Sequence, residues 1–182
     1  KFFGEEKKAK KIANKIIVER KKKEIDTPSL VELIERTKRK KNFKIHSATK
    51  VFQALRIFVN KEITELIKGI VNATKILKPG GVILIVSFHS IEDKIVKYFF
   101  NNFSSNKSKP SRYLPESNNT QLILFKKYKN QIFKPTKKEI IKNPPSRSAK
   151  LRYATRSNDK FFYPDDLFNK FKKYLDLEAT HV

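Results

Sequence analysis

The sequence predicts an α/β fold, and three features carry that expectation. Val82-Ile83-Leu84-Ile85-Val86 is a continuous, mostly β-branched run, as in a strand buried on both faces of a parallel sheet. Amphipathic helical patterns stand directly before and after it, giving the helix–strand–helix order of α/β proteins. With 182 residues, 38% of them hydrophobic, the chain can bury a core.

The elements follow in order. Residues 5–23 predict a helix, because Ala9, Ile12, Ala13, Ile16 and Ile17 recur at helical spacing and lysines fill the other face. Thr27 as cap and Pro28 at the first position predict a second helix, with Leu30, Leu33 and Ile34 on its apolar side. It runs into the basic stretch Lys38–Lys41. Residues 47–59 predict a third helix through Ala48, Val51, Phe52, Leu55 and Phe58–Val59. Asn60 is placed to cap a fourth, with Ile63, Leu66, Ile67, Ile70, Val71 and Leu77 in its stripe. Leu77-Lys78-Pro79-Gly80-Gly81 stops that helix before the strand. Ser90 with Asp93 resembles a capping box opening a helix through Ile91, Ile95, Val96 and Phe99. Residues 104–120 read as a loop. Gln121–Tyr128 and Lys150–Ala154 are strand candidates, joined by a basic connection with Pro135, Pro144 and Pro145. Leu167, Phe168, Phe171 and Leu175 mark a terminal helix after Pro164.

Composition narrows the function. No apolar run approaches the length of a membrane span. The absence of cysteine excludes a disulfide framework and a thiolate metal site. The formal charge is +24, from 42 Lys plus Arg against 18 Asp plus Glu. Lysine outnumbers arginine 34 to 8, and Lys, Ile and Asn together make 66 residues, so AT-rich coding accounts for part of the excess. It does not account for the distribution: residues 104–158 carry +12 and residues 159–182 carry −1. That asymmetry favours nucleic acid as partner. The chain opens at Lys1 and holds no Met, so it is expected to be a piece of a longer protein. No secretory or transit signal is visible.

Candidate chemistry is sparse. His89 follows the strand and precedes a helix, where α/β sheets place ligands. Ser87-Phe88-His89-Ser90-Ile91-Glu92-Asp93 therefore lies at a candidate site, with helix capping the alternative for its polar residues. His46 precedes a helix and suits capping, packing or function alike; His181 sits near the end. No metal-ligand spacing appears, and no Gly-rich loop, the four glycines being Gly4, Gly69, Gly80 and Gly81. Arg147, Lys150, Arg152 and Arg156, with Tyr153 among them, offer phosphate contacts and a stacking face, or else a solvated strand edge.

Four segments together resemble one family. They are Gly4-Glu5-Glu6 with Ile17-Val18-Glu19-Arg20; His46-Ser47-Ala48-Thr49-Lys50-Val51-Phe52-Gln53-Ala54-Leu55-Arg56-Ile57; Leu77 through Lys97; and Asn143 through Arg152. In this order they resemble the bacterial 16S ribosomal RNA cytosine-N4 methyltransferases, which use S-adenosylmethionine. The resemblance covers about residues 1–156. Lys50 departs from a usual Arg, and Pro145 and Ser146 vary the approach to Arg147.

The resemblance implies the C-terminal part of a Rossmann-like class I methyltransferase core with a helical insertion domain. Residues 1–55 would be most of the insertion, 56–156 the later core, and 157–182 a tail with a terminal helix. The cofactor loop would lie upstream of Lys1, leaving no principal cofactor contacts in this chain and no activity for it alone. His89 and Ser90 would border the base pocket, which Arg56 and His46 would help to shape. Arg147, Lys150 and Arg152 would grip RNA phosphates. The partner would be 16S rRNA in the small ribosomal subunit, in the cytoplasm, with no membrane and no metal. A non-catalytic rRNA-binding or assembly protein is the alternative.

Overall fold

The computed structural model describes residues 1–38, 46–105 and 122–180. Most of the loop expected over 104–120, Gln121, residues 39–41 of the basic stretch and His181 lie outside them. The described chain forms two compact units, one of Lys1–Glu62 with Asp176–Val182, the other of Ile63–Leu175.

The first unit is helical. Helix α1 spans Ala9–Glu19, α2 Thr27–Lys38 and α3 Thr49–Asn60. Ile12, Ile34 and Ala48 form its buried centre, with Ile16, Leu30, Val31, Leu33, Val51 and Phe52 around them. Helix α1 is shorter than expected at both ends. The cap of α2 is Asp26, whose carboxylate accepts from Ser29 N–H at 3.0 Å, so Thr27 and Pro28 stand one position further into the helix than the sequence suggests. Helix α3 takes in Asn60 and ends at Lys61, in the left-handed conformation (φ 51°). A buried ion pair closes this unit: Lys38 meets Glu6 at 2.5 Å and also donates to the Ser47 carbonyl. Burial pushes the Glu6 carboxyl up, but hydrogen bonds from Lys38 and from Lys8 N–H outweigh it and hold it below its usual value.

The second unit builds on helix α4 (Glu62–Ile76), strand β1 (Val82–Ser87), helix α5 (Ser90–Asn102) and strand β2 (Lys150–Thr155). Gly80 makes the turn between α4 and β1 at φ +82°, a conformation that costs glycine nothing. A Cβ on Gly81 would come within 2.7 Å of the Leu77 side chain, which explains the second glycine.

The sheet differs from expectation. Strand β1 pairs with β2 in antiparallel register, Leu84 opposite Tyr153 and Ile85 opposite Arg152. Burial alternates along β1: Ile83 and Ser87 are buried, whereas Val82, Leu84 and Val86 are 48, 61 and 50% exposed. A β-branched run states that both faces are apolar; it does not state that both are covered.

Nor is 122–128 a strand. Leu124 and Phe125 N–H groups both donate to the Phe103 carbonyl, and so satisfy the end of α5 rather than a ladder. Phe125 makes only isolated bridges, to Ser104 and Arg156. The basic connection holds a short helix, α6 (Lys137–Lys142), capped by Thr136, and a 3-10 turn over Pro144–Ser148. Both escape a reading in which the prolines mark a loop. Phe99, Phe100, Phe103, Phe125 and Tyr128 make the aromatic centre, with ring centroids 5.1–5.5 Å apart for Phe100–Phe125, Phe99–Phe125, Phe99–Phe103 and Phe100–Tyr128. Helix α7 (Asp165–Ala179) follows Pro164 as expected, and its Phe171 meets Tyr98 edge-on at 5.6 Å. Among the described residues no helix is long and apolar enough to cross a membrane.

Candidate functional site

The candidate site is the turn from β1 into α5. The chain leaves the sheet at Ser87, and His89 in extended conformation (φ −135°, ψ 166°) caps the helix. The cap is reciprocal. His89 Nδ1 accepts from Glu92 N–H at 3.4 Å, while Glu92 Oε2 accepts from Phe88 N–H at 2.8 Å and His89 N–H at 3.3 Å. This corrects the expected register: the pair is His89 with Glu92, not Ser90 with Asp93. Because Nδ1 is an acceptor, the neutral ring carries its proton on Nε2, which lies 3.2 Å from Glu92 Oε1. Burial pushes the Glu92 carboxyl up. The His89 ring and the two N–H groups outweigh that effect and hold it below its usual value.

Asp93, displaced from the cap, anchors the helix to the sheet. Its Oδ1 accepts from Arg152 Nε at 2.7 Å and its Oδ2 from Lys150 Nζ at 3.0 Å. Arg152 is 2% exposed, and its Nη1 also donates to Tyr128 Oη and Asn130 Oδ1, each at 2.9 Å. Burial pushes the Asp93 carboxyl up, but Arg152 and Lys150 overcome it and hold it low.

The expected site residues are therefore divided. His89, Lys150 and Arg152 converge on the first turn of α5, which Ser90 opens. Arg152 departs from expectation: it is 2% exposed, with Nε on Asp93 and Nη1 on Tyr128 and Asn130, and so is not an exposed phosphate contact. Lys150 is half-buried and shares the same carboxylate. Arg147 is exposed on the 3-10 turn. Arg156 is buried and donates to the carbonyls of Leu124 and Asp159. His46 and Arg56 belong to the helical unit. His46 Nδ1 accepts from Ala48 N–H at 3.2 Å, with Nε2 3.4 Å from Glu35, and Arg56 makes a two-bond pair with Glu62 at 2.6 and 3.0 Å.

Sequence reasoning gave no role to Tyr128 and Asn130, and it placed Glu92 in the candidate segment without its capping role. Glu92 had a local signal, the three-residue spacing of a capping box counted from His89 rather than from Ser90. Tyr128 and Asn130 had none, since Arg152 lies 24 and 22 residues away. Phe88, 54% exposed beside His89, adds an aromatic face at the carboxyl end of β1.

Comparison with known proteins identifies the family. A sequence model of the MraW methylase family matches residues 1–157. The ribosomal RNA small subunit methyltransferase H of Ehrlichia chaffeensis is 44% identical over 152 residues, 82% of this chain and 48% of that protein. The protein of the same name from Buchnera aphidicola is 45% identical over 157 residues, 85% of this chain and 50% of its own. That of Bartonella quintana is 41% identical over 182 residues, 99% and 54%. The chain thus spans about half the length of these relatives. With the match running from the helical unit through β1, α5 and β2, the chain belongs to the MraW methylase family.

Proposed function

We propose that this chain is the C-terminal part of an S-adenosylmethionine-dependent methyltransferase that modifies the N4 amine of a cytidine in 16S rRNA of the small ribosomal subunit. The observation that carries the reading is family membership over residues 1–157, with relatives named as small-subunit rRNA methyltransferases. On this reading the helical unit is the insertion and the second unit is the later part of a Rossmann-like core. The open apolar face of Val82, Leu84 and Val86 supports it, since a β-strand of a complete core is covered on both faces. The substrate places the enzyme in the cytoplasm.

The Phe88 and His89 N–H groups at the end of β1 are already taken by Glu92, so this turn offers no amide cradle for a carboxylate or ribose. What this chain supplies is the nucleobase side. The lone pair of the cytosine amine is delocalised into the ring, so the amine reacts only when held in line with the methyl donor, and positioning dominates the chemistry. The base must leave its stack to arrive there. The capping box holds Phe88, His89 and Ser90 rigidly at the carboxyl end of β1, where Phe88 offers a stacking face and His89 and Ser90 border the pocket. His46 and Arg56, on the helical unit, are proposed as further contacts to the RNA. Arg147 contacts phosphate, and Lys150, shared with Asp93, lies beside it on the path of the RNA backbone.

The test is labelled methyl transfer. A protein carrying this segment at the length of its relatives is incubated with methyl-labelled S-adenosylmethionine and unmodified small-subunit particles. Label in 16S rRNA, reduced about 100-fold by Phe88→Ala, is the expected result. Absence of label in the parent overturns the function, and undiminished label in the variant overturns the pocket.

A further inference from the structure

Among the described residues of the second unit Arg152 is the most completely buried charged side chain, yet it stands in the most basic part of the sequence. Its neighbours explain why. One guanidinium joins three segments: the first turn of α5 through Asp93, strand β2 on which it sits, and the Tyr128–Asn130 stretch through a hydroxyl and an amide oxygen. Asp93 in turn donates its N–H to the His89 carbonyl at 3.2 Å, and Glu92, its neighbour, caps His89. The ion pair thus ends on the turn that carries Phe88, His89 and Ser90.

We infer that Arg152 is a positioning residue for this turn, acting through Asp93, and that it makes no contact with RNA. The inference rests on the proposed methyltransferase reading for its functional consequence. Its structural part stands without it. A lysine keeps the charge, but its single nitrogen cannot reproduce a planar fork that meets Asp93 from Nε while meeting Tyr128 and Asn130 from Nη1. A turn released by even about 1 Å would misplace the base at a cost of up to about 100-fold in turnover.

The test compares Arg152→Lys with Ile95→Val, a core change on α5 away from the turn, in the full-length protein with small-subunit particles as substrate. For Arg152→Lys, kcat should fall at least about 10-fold while rRNA affinity and its salt dependence stay within about two-fold of the parent. Amide hydrogen exchange over residues 89–93 should rise about 10-fold, with Ile95–Phe100 unchanged. Ile95→Val should lower Tm and leave kcat unchanged. A kcat within two-fold of the parent overturns the inference. So does weakened RNA binding with a shallower salt dependence, which would make Arg152 a phosphate contact. If the parent transfers no methyl group, the methyltransferase reading fails, and exchange alone decides: parent-like rates over 89–93 in Arg152→Lys overturn the positioning role.

Discussion

Replacing Asp93 by Asn tests the energetic weight of the α5–β2 anchor. The amide keeps the shape of the carboxylate and removes its charge, leaving Arg152 charged at 2% exposure with neutral acceptors alone, the new amide oxygen, Tyr128 and Asn130. Breaking one side of a buried ion pair costs about 3–5 kcal/mol. The Asp93 side chain is 13% exposed and Lys150 34%, so water relieves part of the loss and the lower end, about 3 kcal/mol, applies. At a urea m-value of about 1.5 kcal/mol/M the unfolding midpoint should fall by about 2 M. Tyrosine fluorescence is the assay, because there is no Trp and all six tyrosines lie within 63–175, so the signal reports the second unit alone. The double change Asp93→Leu with Arg152→Met, which removes both charges, should recover more than half of the loss. A midpoint shift below about 0.5 M in Asp93→Asn would show that Arg152 does not depend on this carboxylate, refuting the anchor.

Further expectations concern the cap, acid and RNA. Glu92→Ala should cost about 1 kcal/mol, the usual value of an N-terminal cap, and should expose the Phe88 and His89 amides to exchange; unchanged exchange there would rule out the capping box as the restraint on this turn. The carboxyls of Asp93 and Glu92 titrate lower in the folded protein than in the unfolded chain. Their stabilisation is therefore complete above the unfolded values and disappears as pH falls through the folded ones, so the second unit should lose stability below about pH 4. In Asp93→Asn that acid limb should be flatter, which urea midpoints from about pH 6 to about pH 3 will measure. Arg147→Ala should weaken rRNA binding and reduce its salt slope by about 1, whereas Arg156→Lys, at a buried site, should leave the slope unchanged; a salt titration of both distinguishes them.

What could be read from the sequence follows the range of the forces involved. Helices α3, α4, α5 and α7 were legible because apolar periodicity is local, and Ile63, Ile67, Ile70 and Val71 are buried as their spacing requires. The strand β1 was legible as a strand, but its antiparallel partner lies about 70 residues on and leaves no mark in Val82–Val86. The cap of α5 was misplaced by one residue because serine is a commoner cap than histidine, whereas here the imidazole Nδ1 takes the place of a hydroxyl. The burial of Arg152 was illegible for a deeper reason. Whether an arginine in a basic segment faces water or a carboxylate depends on Asp93, 59 residues away. The turn after β1 was legible as a candidate site because a polar cluster directly after an apolar run is a local feature.

The function proposed for the turn after β1 depends on one bond, between a transferred methyl group and the N4 atom of a cytidine. Nucleoside digestion of small-subunit rRNA, followed by mass spectrometry that separates N4-methyl from C5-methyl cytidine, measures it in cells with and without the gene for this protein. The methyltransferase reading predicts an N4-methylated cytidine that disappears with the gene and returns when it is restored. An unchanged level of N4 methylation, or loss of a methyl group from any other atom, would refute that reading.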